Sequence, residues 1–204
     1  LLFLRPLCSF SSRAARGSPS VSLGSNLSDT EMTLLRQTLR ILHFPKGSIV
    51  IGEGKTDDSI YFLDKGVWRA YIEEEGEQQT LWFAIPGETI FSSWGYFRGH
   101  PSRYTICSSS DSIAIEMRNS TIQKLSESSP AFLKWIQGLL MDILVNEDDV
   151  LVDISSPKAE KRYLAFIKKM PELFNSVPLK EIAGYIGVTP QSLSRIRAGL
   201  NKNK

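Results

Sequence analysis

The stretch LKEIAGYIGVTPQSLSRIRAGL, residues 179–200, carries two apolar stripes separated by a glycine and a capped restart. Ile182, Ala183 and Ile186 form the first stripe over Leu179–Ile186, and Gly187 supplies a tight turn. Thr189 is then an N-cap with Pro190 at the first helical position, and Leu193, Ile196 and Leu200 recur at spacings of three and four. The pattern predicts helix, short glycine turn, helix. If those three residues face a small core, the opposite face presents Gln191, Ser192, Ser194, Arg195 and Arg197, donors with no acid among them. Gln191 and Arg195 stand one turn apart near a helix N-terminus and can bond adenine and guanine edges bidentately, whereas Ser192, Lys180 and Arg197 suit phosphates better. The plainer alternative is a polar surface helix.

Outward from this block the chain changes character. Ala159–Met170 reads as a helix with Tyr163, Leu164, Phe166 and Ile167 inward and Lys161, Arg162, Lys168 and Lys169 outward, and Ser155-Ser156-Pro157 punctuates its start. Residues 157–204 carry a net charge of +7 and residues 29–156 carry −8, while residues 1–28 carry +3. An acidic body with a basic end is what a phosphate-contacting appendage on a sensor or assembly domain needs, although a solvated lysine-rich surface has the same composition.

Between Ile41 and Met117 the period is two. Candidate strands are Ile41–Phe44, Ser48–Glu53, Ser59–Asp64, Val67–Glu73, Gln78–Ala84, Thr89–Phe91, Arg103–Ser108 and Ser112–Met117, separated by glycine turns with no intervening helix. This argues for a double-stranded β-roll of the jelly-roll kind in an α+β chain. Ahead of it, Ser28 or Asp29 caps a short helix carrying Met32, Leu35, Leu39 and Leu42. After it, Pro130 opens a helix to about Asp153 whose apolar residues cover more than one face. Phe132, Ile136, Leu139, Leu140, Ile143 and Leu144 are read as a seam for a second copy, the alternative being a helix buried between its own domains.

Several chemistries are excluded. The near-apolar run Phe132–Val145 contains Lys134 and Asp142 and is too short to span a bilayer. Two cysteines, Cys8 and Cys107, cannot supply a four-cysteine zinc or iron–sulfur site, and Cys107 is read as a small strand residue. A metal-dependent cupin would need His and carboxylate ligands converging, and His43 and His100 are the only histidines. No glycine-rich phosphate loop occurs, and the chain is read as no enzyme, with no cofactor. Residues 1–27 are read as a flexible arm, whether native, processed or an added remnant. They lack an initiator Met, their opening apolar stretch is too short for a secretory segment, and they have only a slight transit-peptide character.

In the order roll, long helix, helix-turn-helix, the chain resembles the Crp/Fnr family of bacterial transcription regulators over about residues 28–200. The local likeness is to Bacteroidetes-type members, through Lys161-Arg162-Tyr163-Leu164, Pro171-Glu172-Leu173, Val177-Pro178-Leu179-Lys180 and Ile182 to Arg197. The resemblance implies a cyclic-nucleotide-binding-like roll at 28–128, a linker and dimerisation helix at 129–155 and a winged helix-turn-helix at 156–204. It also implies a homodimer on a pseudo-palindromic double-stranded DNA operator in a bacterial cytoplasm, with RNA polymerase as a further partner and no membrane association. Pro190, Gln191, Ser194 and Arg195 then fall at base-facing or nearby positions, and Lys180, Thr189, Ser192 and Arg197 complete the expected DNA-contacting set. Pro190 departs from cyclic-AMP-type members, so their operator does not transfer.

The effector site resembles the family less. The Gly-Glu pair is present as Gly87 and Glu88, but aligning Pro101 with the family's proline puts Ser102 where the phosphate-holding Arg belongs. Arg103 is one place later on a strand whose Tyr104 and Ile106 look inward, so it faces outward. Phe91, Trp94, Tyr96 and Phe97 are available to fill the cavity. Cyclic AMP is predicted not to bind, and the effector is left unnamed. The rival to a DNA-binding regulator is a small-molecule-binding or protein-interaction module without direct DNA readout.

Overall fold

The structure, a computed structural model, describes residues 27–202. The expected N-terminal arm therefore lies outside the described residues. Helix α1 (Asp29–Thr38) opens with a reciprocal capping box, in which Glu31 N–H donates to Ser28 Oγ at 3.3 Å and Ser28 N–H donates to Glu31 Oε2 at 2.7 Å. Only Leu35 of its apolar stripe is fully buried. Leu39 adopts extended backbone and Leu42 lies on the following strand rather than on the helix, because β1 (Arg40–Phe44) pairs along its whole length with β8. Glu31 also accepts a hydrogen bond from Ser129 Oγ, tying α1 to the start of the long helix.

The remaining strands are β2 (Ile49–Ile51), β3 (Ile60–Lys65), β4 (Trp68–Glu74), β5 (Glu77–Ala84), β6 (Thr89–Ile90), β7 (Thr105–Ser108) and β8 (Ser112–Met117). They form two antiparallel four-stranded sheets, ordered β1-β8-β3-β6 and β2-β7-β4-β5. All eight lie where the period-two reading placed them, and the roll is closed around Trp68, Leu63 and Ile106. The Trp68 indole N–H donates to Ser112 Oγ at 2.9 Å, so the largest core residue leaves no polar atom unpaired. Two short helices escaped the sequence pattern: α2 (Ser93–Arg98), which interrupts the β6–β7 connection, and α3 (Asn119–Ser128), whose only buried residues are Ile122 and Leu125.

Helix α4 (Pro130–Ile154) starts with Ser129 Oγ accepting the Phe132 N–H at 3.0 Å and Pro130 in the first turn. Phe132, Trp135, Ile136 and Leu139 pack with Ile60, Phe62, Ile115 and Met117 of the roll, and the Trp135 ring stacks on Phe62. This corrects the expected seam. Phe132, Ile136 and Leu139 are committed to the chain's own core, with Leu140 and Ile143 partly packed there, and only Leu144 of the six is exposed. The apolar face left open consists instead of Leu133, Met141, Leu144, Val145, Leu151 and Val152.

The C-terminal module comprises α5 (Ala159–Lys169), a 3₁₀ turn (Pro171–Asn175), α6 (Leu179–Ile186) and α7 (Pro190–Lys202). Gly187 holds the turn with φ of +71°, a left-handed conformation that favours glycine. Tyr163, Phe166, Leu173, Ile182, Ile186 and Leu193 form the core, which also takes in Val67, Phe83 and Ile85 from the roll. Two of the cations expected to point outward do not. Arg162 donates from Nε to Ile186 O at 2.7 Å and from Nη1 to Ser156 O at 2.6 Å, clasping the C-terminal end of α6, and Lys169 Nζ is buried. Among the described residues no strand follows Met117, so the expected wing has no counterpart among them.

Because Phe132 fills the junction of α4 with the roll, Phe132→Ala should cost about 3–5 kcal/mol of folding stability by denaturant unfolding while leaving self-association unchanged in sedimentation.

Candidate functional site

A cavity of about 380 Å³ lies between the roll, α4 and the C-terminal module, within the size range of small-molecule sites. Gly87 and Glu88, in the turn between β5 and β6, line it, as do Trp82 from β5, Tyr104 from just before β7, Asp142 and Glu147 from α4, and Tyr185 from α6. The Trp82 and Tyr104 rings meet edge to face at 6.1 Å. Phe91 reaches the wall, but Trp94 and Phe97 are exposed on α2 and Tyr96 packs beside Phe91, so the aromatic cluster does not fill the space.

The other two effector candidates stand apart from it. Ser102 is buried with its hydroxyl donating to Tyr104 O at 2.7 Å, and Arg103 is exposed with its guanidinium 5.6 Å over the Trp94 ring. Neither lines the cavity: Arg103 and Tyr104 stand in the bend just before β7, where Tyr104 is partly buried and Arg103 is exposed. No Lys, Arg or His is among the lining residues, while three carboxylates are. Burial pushes the Glu88 carboxyl up to about 7, more than the Ile85 N–H bond and nearby Lys169 draw it down. Burial also raises Asp142 and Glu147, the latter with added repulsion from Asp148. Asp142 and Glu147 carried no motif, since only the return of α4 over the roll brings them to Glu88.

On the helix-turn-helix, Thr189 Oγ1 accepts the Ser192 N–H at 3.2 Å, the N-cap bond expected ahead of Pro190, and lies 3.0 Å from Ser192 Oγ. Gln191, Ser194 and Arg195 are exposed on α7, and Pro190 and Ser192 are partly so. Arg197 sits over the Phe174 ring at 4.1 Å, a cation–π contact within the module. Lys180 pairs with Glu77 of β5 at 3.1 Å, both groups remaining largely exposed.

That ion pair belongs to a wider docking of α6 on β5. Gln79 Nε2 donates to Gly184 O, Glu181 lies 3.8 Å from Arg69 Nε and accepts from Ser109 Oγ at 3.4 Å, and Tyr185 packs on Phe83 at 5.8 Å. A Cβ on Gly184 would come within 3.2 Å of Thr80 N, so the absence of a side chain there permits the approach. The two cysteines of the sequence are too few for a four-thiolate cluster, and among the described residues no group of three His, Cys, Asp or Glu could hold a metal.

The Glu88 shift has a stability consequence. Its folded pKa lies above its unfolded one, so the folded chain holds the proton more tightly, and stability falls as pH rises from about 4.5 to about 7 and then levels. Glu88→Gln removes that titration, and urea midpoints measured across this window should lose on the order of 3 kcal/mol of pH dependence relative to the parent.

Comparison with known proteins places this geometry. The family described as cyclic nucleotide-binding domain matches residues 41–129. The chain is 24% identical over 169 residues to the anaerobic regulatory protein of Pasteurella multocida, covering 77% of this chain and 61% of that one. It is 25% identical over 171 residues to the fumarate and nitrate reduction regulatory protein of Yersinia pestis, covering 78% and 67%. The chain thus spans about two thirds or less of the length of these relatives. Among solved structures, FixK2 from Bradyrhizobium japonicum superposes with a TM-score of 0.70 at 18% identity, over 81% of this chain and 85% of that one. A protein from Eubacterium rectale assigned to the Crp/Fnr family gives 0.66 at 16%, over 87% and 85%. Residues 41–129 match the cyclic nucleotide-binding domain family, and the chain shares the fold of these solved regulator structures.

Proposed function

We propose that this chain is a homodimeric, sequence-specific DNA-binding transcription regulator of a bacterial cytoplasm, whose roll answers to a ligand other than cyclic AMP. The observation that carries the reading is α7, a capped helix with Gln191, Ser194 and Arg195 exposed on an acid-free face, set on the Crp/Fnr architecture. Thr189, Pro190 and Ser192 lie at its N-terminal end, where a helix entering the major groove meets base edges and phosphates. Relatives named as regulatory proteins support the same role, and no catalytic role is assigned to any residue. No helix among the described residues is long and apolar enough to cross a membrane.

The division of labour follows the expected boundaries: roll at 28–128, linker and pairing helix at 129–155, DNA-binding module at 156–204. Pairing runs through the open face of α4, where Met141 and Val152 are 68% and 73% exposed, and a palindromic operator follows from the two-fold axis. RNA polymerase is the further partner. Against cyclic AMP stands a cavity with carboxylates and no cation to meet the cyclic phosphate.

The docking of α6 on β5 favours a second arrangement of the same protein. Lys180, suited to a phosphate, is held by Glu77, and Arg197 lies on Phe174, so DNA binding requires these side chains to exchange partners. The rival reading, a module that binds only protein or small molecules, keeps them as they are.

Selection of bound duplexes from a randomised pool should return a two-fold motif with half-sites about one helical turn apart. Arg195→Ala should then cost about 1–3 kcal/mol and relax preference at one base position, whereas Lys180→Ala should weaken all duplexes alike and reduce the salt slope by about one. Equal loss of discrimination from both variants, or no enriched motif, supports the rival. Met141→Glu with Val145→Glu should convert the dimer to monomer in sedimentation without lowering the unfolding midpoint. A variant that still dimerises places the contact elsewhere.

A further inference from the structure

The cavity beside Glu88 combines an aromatic and aliphatic wall with charged groups of a single sign. Asp142 Oδ2 is buried with no hydrogen-bond partner among the described residues. Glu88 uses Oε2 to accept the Ile85 N–H at 3.0 Å. Both residues line the same space, Glu88 from the sheet turn and Asp142 from α4, with Glu147 further along the helix. A buried carboxylate oxygen without a donor is costly, and a ligand that brings N–H groups relieves that cost while a ligand that brings oxygens or negative charge increases it.

Lys169 does not occupy this role. Lys169 is close enough to Glu88 to influence its titration, but it lines a separate, smaller void with Asp153 and Arg162, and its Nζ has no hydrogen-bond partner. The remaining wall is suited to a flat or branched apolar body. Trp82 and Tyr104 offer ring surfaces set edge to face, and a cation held near such rings gains a quadrupole attraction as well as apolar contact.

We infer that this cavity binds a compact organic cation, an amine on an aromatic or aliphatic body, with Glu88 and Asp142 receiving its N–H donors and the Trp82–Tyr104 wall receiving its body. The inference deepens the sensing half of the proposed function by giving the effector a chemical class. Its test is made on the free chain without DNA, so failure to recognise DNA and failure to bind an amine are separate results. The raised pKa values of Glu88, Asp142 and Glu147 agree with carboxyls awaiting a positive partner. Met170 and Tyr185 line the same cavity, so an occupant touches the C-terminal module as well as the roll.

The experiment is calorimetric titration of the full-length chain near neutral pH with tryptamine and phenethylamine. The comparison probes are tryptophol as the neutral counterpart, indole-3-propionate as the anionic one, and cyclic AMP. The expected result is saturable binding of at least one amine at millimolar concentration or below, about tenfold or more tighter than tryptophol, with no heat from the two anions. Glu88→Gln and Asp142→Asn should each weaken the amine by about tenfold while unfolding at or above the parent's midpoint, which separates loss of the site from loss of the fold. Tryptophol binding as tightly as tryptamine, binding of either anion, absence of binding by both amines, or amine binding unaffected by both substitutions would each overturn the inference.

Discussion

Phe83 is the residue on which the two ends of this chain depend. Alternation along β5 sends Ala84 into the roll and Phe83 into the C-terminal module, where its ring meets Phe166 at 6.2 Å and Tyr185 at 5.8 Å. Burying a ring of that size contributes roughly 1.5–3 kcal/mol, and Val67 and Ile85 join it on the same side. A sheet with apolar residues on both faces cannot leave either to water, so the helix-turn-helix completes the fold of the roll. Of the polar contacts around it, the exposed Lys180–Glu77 pair adds register more than energy, while Glu181 reaches to within 3.8 Å of the buried Arg69.

The same packing creates the cavity and sets its chemistry. Glu88 arrives from the β5–β6 turn and Asp142 and Glu147 from α4, so acids remote in sequence converge on one apolar space. Desolvation disfavours their charged forms, and at Glu88 the Ile85 N–H bond and nearby Lys169 offset it only in part. A site of this kind repels phosphates. Arg103, exposed in the bend before β7 with its guanidinium over the Trp94 ring, brings no positive charge to this space.

Helix α4 serves two masters through its geometry. Its first half is locked to the roll by Phe132, Trp135, Ile136 and Leu139, and beyond Leu139 none of its residues is fully buried. An apolar face that includes Met141, Leu144, Val145 and Val152 is thereby left facing water, a state that single-chain packing does not relieve. The division follows from helical periodicity, since a stripe wide enough for two partners must give one side to each.

Local chemistry was legible without the fold. Period-two runs and glycine turns identified all eight strands, and Thr189-Pro190 with Gly187 identified α6, the turn and α7, because hydrogen-bond caps and pleat alternation act over a few residues. Arg103 is exposed as expected, although it stands in the bend before β7 and not on the strand itself. Contacts between distant segments were not legible. Which face of α4 enters the core, why Arg162 clasps Ile186 O, why Arg197 lies on Phe174 and why Asp142 stands near Glu88 all depend on where two elements meet in space. A sequence pattern determines that a helix has an apolar face. Only the tertiary structure decided which neighbour covers it, because burial is a property of the whole chain's packing and has no local period.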